Sequence, residues 1–163
     1  MTDELGTLSS NGTTRSVRFV RAFDVSAGEL WDAITDPKRI ARWMRTEEML
    51  FEPHVGGKVR YRWGGNDESI GTVKVFEPPH AVEYTWKEGS ESSTVRFELR
   101  SLAAGVELTL HHWNLSPDRA AGVGAGWHAH LEYLGAVLRD EAFDFDQRFN
   151  ELLPGYTERA ATL

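Results

Sequence analysis

Two histidines lie at positions from which they could act on a bound molecule. His112 is on the apolar side of the alternating segment 106–113, and His130 is on the apolar stripe of a long helical segment. In a cavity between these segments, both imidazoles could hydrogen-bond a ligand or act as general acid or base, because small shifts move their pKa across neutrality. The alternative is two partly buried histidines satisfied by neighbouring groups. The sequence assigns no catalytic residue outright, and His112 and His130 are the candidates.

The remaining histidines do not extend this pair to a metal site. Adjacent residues on a strand point to opposite faces, and residues two apart on a helix diverge by roughly 200°. Neither His111 with His112 nor His128 with His130 can therefore chelate from one surface. The chain has no cysteine, and no carboxylate lies at a spacing that would complete a site. No phosphate-binding glycine loop or serine-nucleophile motif appears either. We expect no metal and no cofactor.

Aromatic residues are numerous and share the same predicted inner faces. The chain contains six tryptophans, eight phenylalanines and four tyrosines, and every tryptophan lies between Trp31 and Trp127. Such a set either fills a core or walls a pocket in which a few hydroxyl and imidazole groups orient the ligand. The candidate ligand-binding residues are Tyr61, Trp63, Tyr84, Trp86, Phe97, His112, Trp127 and His130.

Segments with alternating apolar and polar residues must position most of these side chains. In the run 58–63, apolar or aromatic residues occupy the odd-numbered positions and basic residues the even-numbered ones. This period is typical of antiparallel strands with one buried and one solvated face. The pattern, with short turn signals between runs, predicts six consecutive strands from about Glu47 to Trp113. A further strand at 16–25 makes seven in all.

Two short helices are predicted between the first and second strands. Ser26 with Glu29 matches a capping box, in which each side chain satisfies an N–H group of the first helical turn. Asp36 ends that helix and caps the next, which starts with Pro37 at its first position.

The C-terminal part is predicted to be helical. An apolar stripe predicts a helix of about 20 residues ending near Arg139, with His128 and Glu132 on its outer face. A shorter amphipathic helix is predicted over 144–153. The polar N-terminal residues without periodicity are expected to be disordered. The predicted organisation is a leader over 1–14, one domain over 15–140 and a C-terminal extension over 141–163.

Charge and composition argue against several classes of function. The 18 Lys and Arg residues against 25 Asp and Glu residues give a net charge of −7, whereas nucleic-acid binders carry a basic stripe. No stretch approaches the roughly 18 apolar residues that span a bilayer. The N-terminus lacks the apolar region of a signal peptide. We expect no nucleic-acid binding, no membrane insertion and a cytoplasmic location.

Five separated motifs, in this order, resemble the START-like SRPBCC superfamily. Within it the resemblance is to domains named after the activator of the ninety-kilodalton heat-shock protein ATPase. It covers roughly residues 15 to 140. The motifs are LWDAITDPKRIARWM, FEPHVGGKVRYRW, GTVKVFEPPHAVEYTW, VELTLHHW and GWHAHLEYLGAVL.

The resemblance implies an α+β helix-grip fold. In this fold a curved antiparallel sheet of about seven strands wraps around a long C-terminal helix and encloses a mostly apolar cavity. Members of the superfamily bind lipids, sterols, polyketides or other hydrophobic molecules, and a minority are cyclases or hydrolases.

The resulting hypothesis is a protein that binds a small hydrophobic or aromatic molecule in an internal cavity. One alternative is an enzyme of the cyclase or hydrolase type, with His112 or His130 as general base. Another is a chaperone-linked or regulatory protein-interaction domain. Phenylalanines of the C-terminal extension either dock on the domain itself or contact a second copy or a protein partner. These are Phe143, Phe145 and Phe149.

Overall fold

The segments with a period of two form one antiparallel sheet. The structure is a computed structural model and describes residues 4–163. In this range the curved, unclosed sheet has eight strands in the order β1-β2-β8-β7-β6-β5-β4-β3. The strands are β1 Thr7–Ser10, β2 Arg15–Phe23, β3 Glu48–Phe51, β4 Lys58–Gly64, β5 Asp67–Glu77, β6 Ala81–Glu88, β7 Glu91–Ser101 and β8 Val106–Leu115.

Helices precede and follow the six-strand meander as the caps and stripes predict. Ser26 Oγ accepts the N–H of Glu29 at 3.1 Å, and Asp36 Oδ1 accepts the N–H of Lys38 at 3.0 Å. The long helix lies across the inner face of the sheet, so the predicted α+β helix-grip fold is confirmed. The helices of the described range are α1 Ala27–Thr35, α2 Pro37–Trp43, α3 Ala120–Leu138 and α4 Phe145–Ala160, with a 3₁₀ turn at Pro117–Arg119 before α3.

The strand register collects the inward side chains into one layer beneath α3. Phe97 lies opposite Val82 on one side and Leu110 on the other, and Leu110 lies opposite Phe19. All four are buried. Trp127 of α3 meets this layer edge-on, with its ring centroid 5.8 Å from that of Phe97. Burial of this apolar surface is the main term that holds helix and sheet together.

The N-terminal segment corrects the expected disordered leader over 1–14 and raises the number of strands from seven to eight. Thr7–Ser10 pair with β2 so that Leu8 lies opposite Val17. Leu8 is buried against the core. A single buried leucine in a polar run gives no periodic signal, so the pattern missed an edge strand. Residues 1–3 of the expected leader lie outside the described residues.

Helix α4 is longer than the predicted segment, which ran from Asp144 to Leu153. It begins after Asp144, which is its N-cap, and continues through Pro154 to Ala160. Proline removes one backbone hydrogen bond and normally kinks or ends a helix. The helix continues here because Tyr156, in the next turn, is fully buried against the rest of the protein.

Because α4 covers α3, the face of α3 that was expected to be exposed is buried. His128 is 1% exposed. Its Nε2 lies 3.0 Å from the Glu132 carboxylate, and its Nδ1 lies 2.8 Å from the hydroxyl of Tyr156, which accepts the N–H of Gly6 at 2.7 Å. Arg148 of α4 donates to both oxygens of Glu132, at 2.8 and 3.0 Å. Burial raises the pKa of Glu132, but the hydrogen bonds from His128 and Arg148 outweigh it and hold that pKa below its usual value.

The close approach of α4 to α3 predicts opposite effects at two glycines of α3. A Cβ atom at Gly124 would lie 2.6 Å from the ring of Tyr156, whereas one at Gly126 would meet no atom within 4 Å. Alanine in place of a helix-interior glycine stabilises by about 1 kcal/mol where space is open. We expect Gly126→Ala to raise the melting temperature and Gly124→Ala to lower it. Equal stabilisation of both variants in thermal unfolding would contradict the packing of Tyr156.

Candidate functional site

A cavity of about 660 Å³ lies between the sheet and the first turns of α3. Small-molecule sites commonly occupy roughly 300–1,000 Å³. The walls come from the end of α2, strands β4, β6 and β8, the start of β5, the first turns of α3 and the start of α4. The lining residues are Met44, Arg45, Trp63, Asp67, Trp86, Glu88, His112, Asp118, Arg119, Gly122, Val123, Gly126, Trp127, His130 and Phe145.

Three tryptophans form the aromatic wall of the cavity. Trp63 and Trp86 occupy inward positions on β4 and β6, and Trp127 comes from α3. The ring centroids of Trp63 and Trp86 are 6.0 Å apart, and those of Trp86 and Trp127 are 5.6 Å apart. The alternation of side chains along a strand brings the first two onto the core side of the sheet. The three rings together present a continuous apolar surface.

The N–H groups of these three indoles are all directed to protein acceptors. Trp63 donates to the carbonyl that follows α2, at 2.9 Å. Trp86 donates to the Glu88 carboxylate at 2.5 Å, and Trp127 donates to His112 Nδ1 at 2.9 Å. An indole has a single donor and no acceptor. The three rings are therefore held in fixed orientations and keep no free donor for a ligand.

His112 is fully engaged by the protein, although it lines the cavity. Because Trp127 donates to Nδ1, the neutral ring carries its proton on Nε2 and donates it to Ser93 Oγ at 2.7 Å. The Ser93 hydroxyl in turn donates to the carbonyl of Trp86 at 3.1 Å. Burial, with a smaller contribution from the positive charge of Arg119, lowers the pKa of His112 to about 3. In this arrangement His112 positions Trp127 and has no free lone pair with which to act as a base.

His130 is held by one nitrogen only. Its Nδ1 donates to the carbonyl of Trp43 at 3.0 Å. Its ring lies against that of Phe145, with centroids 4.4 Å apart, and forms part of the cavity wall. Burial lowers the pKa of His130 to about 4, the hydrogen bond to Trp43 opposes this, and Arg45 adds to it. His130 is therefore a neutral imidazole at pH 7.

Three of the predicted ligand-binding residues lie behind the wall instead of lining the cavity. The hydroxyl groups of Tyr61 and Tyr84 hydrogen-bond to each other, and both residues are buried. Burial raises the pKa of each. Phe97 packs beneath Trp127. The tyrosine hydroxyls, predicted as polar anchors for a ligand, satisfy each other because they face one another across the core. The predicted residues that do line the cavity are Trp63, Trp86, His112, Trp127 and His130.

Several lining residues were not found by sequence reasoning. Glu88 and Arg119 form an ion pair at the cavity mouth, between the end of β6 and the 3₁₀ turn. Phe145 reaches the cavity only because α4 folds back along α3. Gly122 and Gly126 had a usable signal, because residues four apart on a helix share one face and two glycines there leave space. The ion pair of Glu88 with Arg119 and the position of Phe145 have no comparable signal, because each depends on residues far apart in the sequence.

Among residues 4–163, no group of three or more His, Asp or Glu side chains is arranged to hold a metal ion. None of the helices described is both long and apolar enough to cross a membrane. His128 is directed at α4, whereas His130 lines the cavity, as their separation around the helix requires.

Comparison with known proteins identifies a family. The model of the family described as activator of Hsp90 ATPase homolog 1-like protein matches residues 24–139, a range that includes α1 to α3. No curated protein matches the chain.

Solved structures share the fold over most of the chain. CalU16 from Micromonospora echinospora is 26% identical, with a TM-score of 0.76 over 95% of this chain and 94% of that one. Protein MLL2253 from Mesorhizobium loti is 26% identical, with a TM-score of 0.70 over 79% and 100%. PFC0360w, an HSP90 activator from Plasmodium falciparum, is 25% identical, with a TM-score of 0.56 over 65% and 76%. These likenesses support the family and the fold described above.

Because of the two cavity histidines, we expect the free energy of unfolding to fall at mildly acidic pH. The folded protein leaves His130 unprotonated down to about pH 4 and His112 down to about pH 3. The unfolded chain binds protons at these positions below about pH 6.5. The unfolded state therefore binds more protons between these limits, so the free energy of unfolding falls as pH falls through this window. We expect a loss of roughly 2 kcal/mol per histidine between pH 7 and pH 5.

Urea unfolding followed by tryptophan fluorescence at pH 7, 6 and 5 measures this loss. His130→Asn should show a shallower dependence than the wild type, because it removes one of the two groups. An unchanged midpoint from pH 7 to pH 5 would show that the histidines are not held neutral by burial.

Proposed function

This chain belongs to the family of activator of Hsp90 ATPase homolog 1-like proteins, and we propose that it binds a small hydrophobic or aromatic molecule in the cavity between the sheet and α3. The fold supports a ligand-binding domain in general. The identity of the cavity walls supports the narrower proposal.

One observation carries the proposal: three fixed indole rings converge on a cavity of about 660 Å³. Protein interiors are packed densely and leave few voids larger than a water molecule. The space here is kept open by Gly122 and Gly126, where a Cβ atom would meet nothing within 4 Å. Aromatic walls around such a space favour an occupant that is itself apolar or aromatic.

The histidines favour binding over catalysis. A general base works best when its pKa lies near the working pH. His112 uses both ring nitrogens within the protein, and the pKa of His130 is lowered to about 4. Neither group is suited to remove a proton at neutral pH. Of the two histidines, only His130 keeps a free lone pair that the cyclase or hydrolase alternative could use.

A protein-interaction role is the other alternative. PFC0360w is an HSP90 activator that shares the fold. A function of that kind would use the surface of the domain and would not depend on an open cavity. Filling the cavity therefore discriminates between the two proposals.

Gly126→Leu is expected to abolish or weaken ligand binding without unfolding the protein. The new side chain would project into open space in the cavity, and leucine is a better helix former than glycine. The probes are 2-naphthol and 1-hydroxypyrene, titrated into the protein in isothermal calorimetry. We expect saturable binding of at least one of them to the wild type. We expect binding to be weakened roughly tenfold or more in the variant, a loss of about 1.4 kcal/mol, because the leucine side chain would occupy space that the ligand fills.

Gly28→Leu is the matched control. Gly28 lies in α1, which contributes no residue to the cavity lining, and a Cβ atom there would meet only Ser26 Oγ, at 4.0 Å. This variant should bind both probes as the wild type does. Absence of saturable binding to the wild type, or equal binding by Gly126→Leu, would overturn the proposed function.

A further inference from the structure

We propose that the ligand is a planar aromatic molecule with a hydroxyl group, a phenol, and that this hydroxyl donates a hydrogen bond to Nε2 of His130. The inference rests on the proposed function, because it specifies the chemistry of a ligand in the same cavity. It follows from the hydrogen-bonding groups that the aromatic and imidazole rings of the cavity wall have already used and from the one that these rings have not.

Every hydrogen-bond donor of the aromatic wall is already bonded to an acceptor of the protein. The indole N–H groups of Trp63, Trp86 and Trp127 all bond to protein acceptors. His112 donates its only proton to Ser93. The rings can therefore contact a ligand through their faces and edges, but none of them can donate a conventional hydrogen bond to it. An acceptor group of a ligand placed among these rings would lose its bonds to water without replacement from the rings.

His130 supplies the unused group, and that group is an acceptor. Its Nδ1–H is committed to the carbonyl of Trp43, at 3.0 Å. The neutral ring then carries its lone pair on Nε2. Among residues 4–163, no hydrogen-bond partner of Nε2 is found. Burial keeps the imidazole neutral at pH 7, so the lone pair is not blocked by a proton.

The free Nε2 is accessible from the cavity. Within residues 4–163, the only side-chain N or O atom that is both shut off from solvent and without a partner is Thr46 Oγ1. Nε2 of His130 also lacks a partner, so it must be reachable, and the cavity is the space that His130 lines. It lies deep among aromatic rings, with centroids of Phe145 at 4.4 Å and of Trp127 at 6.3 Å.

Three charged residues of the cavity lining, Glu88, Arg119 and Arg45, are engaged by other protein groups. Glu88 accepts from Trp86 with one carboxylate oxygen and from Arg119 with the other. Arg45 pairs with Asp146 and lies over the ring of another residue of α4. Asp67 and Asp118 also line the cavity, whereas Nε2 of His130 is the lining acceptor that is set among the aromatic rings. A phenol fits both features of this site. Its ring can stack on the aromatic rings of the wall, and its hydroxyl proton can be donated to the lone pair of His130 Nε2.

The test compares each phenol with its methyl ether. The ether keeps the ring and the oxygen but has no proton to donate. The pairs are 2-naphthol with 2-methoxynaphthalene and 1-hydroxypyrene with 1-methoxypyrene, titrated into the full chain by calorimetry. We expect the phenol of at least one pair to bind about tenfold more tightly than its ether, the ratio that one well-formed buried hydrogen bond provides.

Two variants assign the difference to His130. His130→Phe removes the acceptor and keeps an aromatic ring, so phenol and ether should then bind with nearly equal affinity. His130→Asn keeps an N–H group for the Trp43 carbonyl and also removes Nε2, which covers the case in which the phenylalanine variant does not fold. In the wild type, the ¹⁵N resonance of His130 Nε2 should shift when the phenol binds and not when the ether binds.

The outcomes separate this inference from the proposed function. Phenols and ethers that bind equally well to the wild type would overturn the role of His130 and leave aromatic binding intact. The same holds for a preference for phenols that persists in both His130 variants. If no member of either pair binds, the proposed function itself fails.

Discussion

The hydrogen bond from Trp127 to His112 is the contact on which the organisation of the cavity depends. It joins α3 to β8, and it continues through Ser93 to the backbone of β6. The chain of bonds sets the distance between helix and sheet and fixes the tautomer of His112. It also orients Trp127, whose ring is shared by the core and the cavity. A donor and an acceptor buried together in this way must stay paired, because separating them leaves both without water.

A second buried network holds the opposite side of α3. Glu132, His128 and Arg148 connect α3 to α4, and Tyr156 extends the connection to Gly6 at the N-terminal end of the described chain. Helix α3 is therefore held by two buried hydrogen-bond networks, one toward the sheet and one toward α4. The cavity is lined by Trp127 and His112 of the first network and by Gly122 and Gly126 near the start of α3.

Much of the fold could be predicted from local patterns, but only part of the site could. Alternation, caps and the apolar stripe predicted the meander, the helix pair and α3, because each depends on neighbours close in sequence. The strand β1 gives no periodic signal because Leu8 is its single buried residue, and the burial of His128 depends on Tyr156, a distant partner that no local pattern contains. For the same reason, inward parity could not separate residues that line the cavity, such as Trp86, from those behind it, such as Tyr84. The difference lies in tertiary packing, since both tyrosine hydroxyls meet in the core.

Phe145 lines the cavity from outside the part of the chain that the family match covers. It belongs to α4, whereas the family match ends at residue 139, before α4 begins. The ring is only partly buried, packs against the hydrophobic core and contacts His130 and Arg45. A substitution of Phe145 would change the shape of the cavity and leave the sheet and the hydrogen bond of Trp127 in place. The shape of the cavity can therefore change through a residue outside the family match while the matched scaffold stays the same.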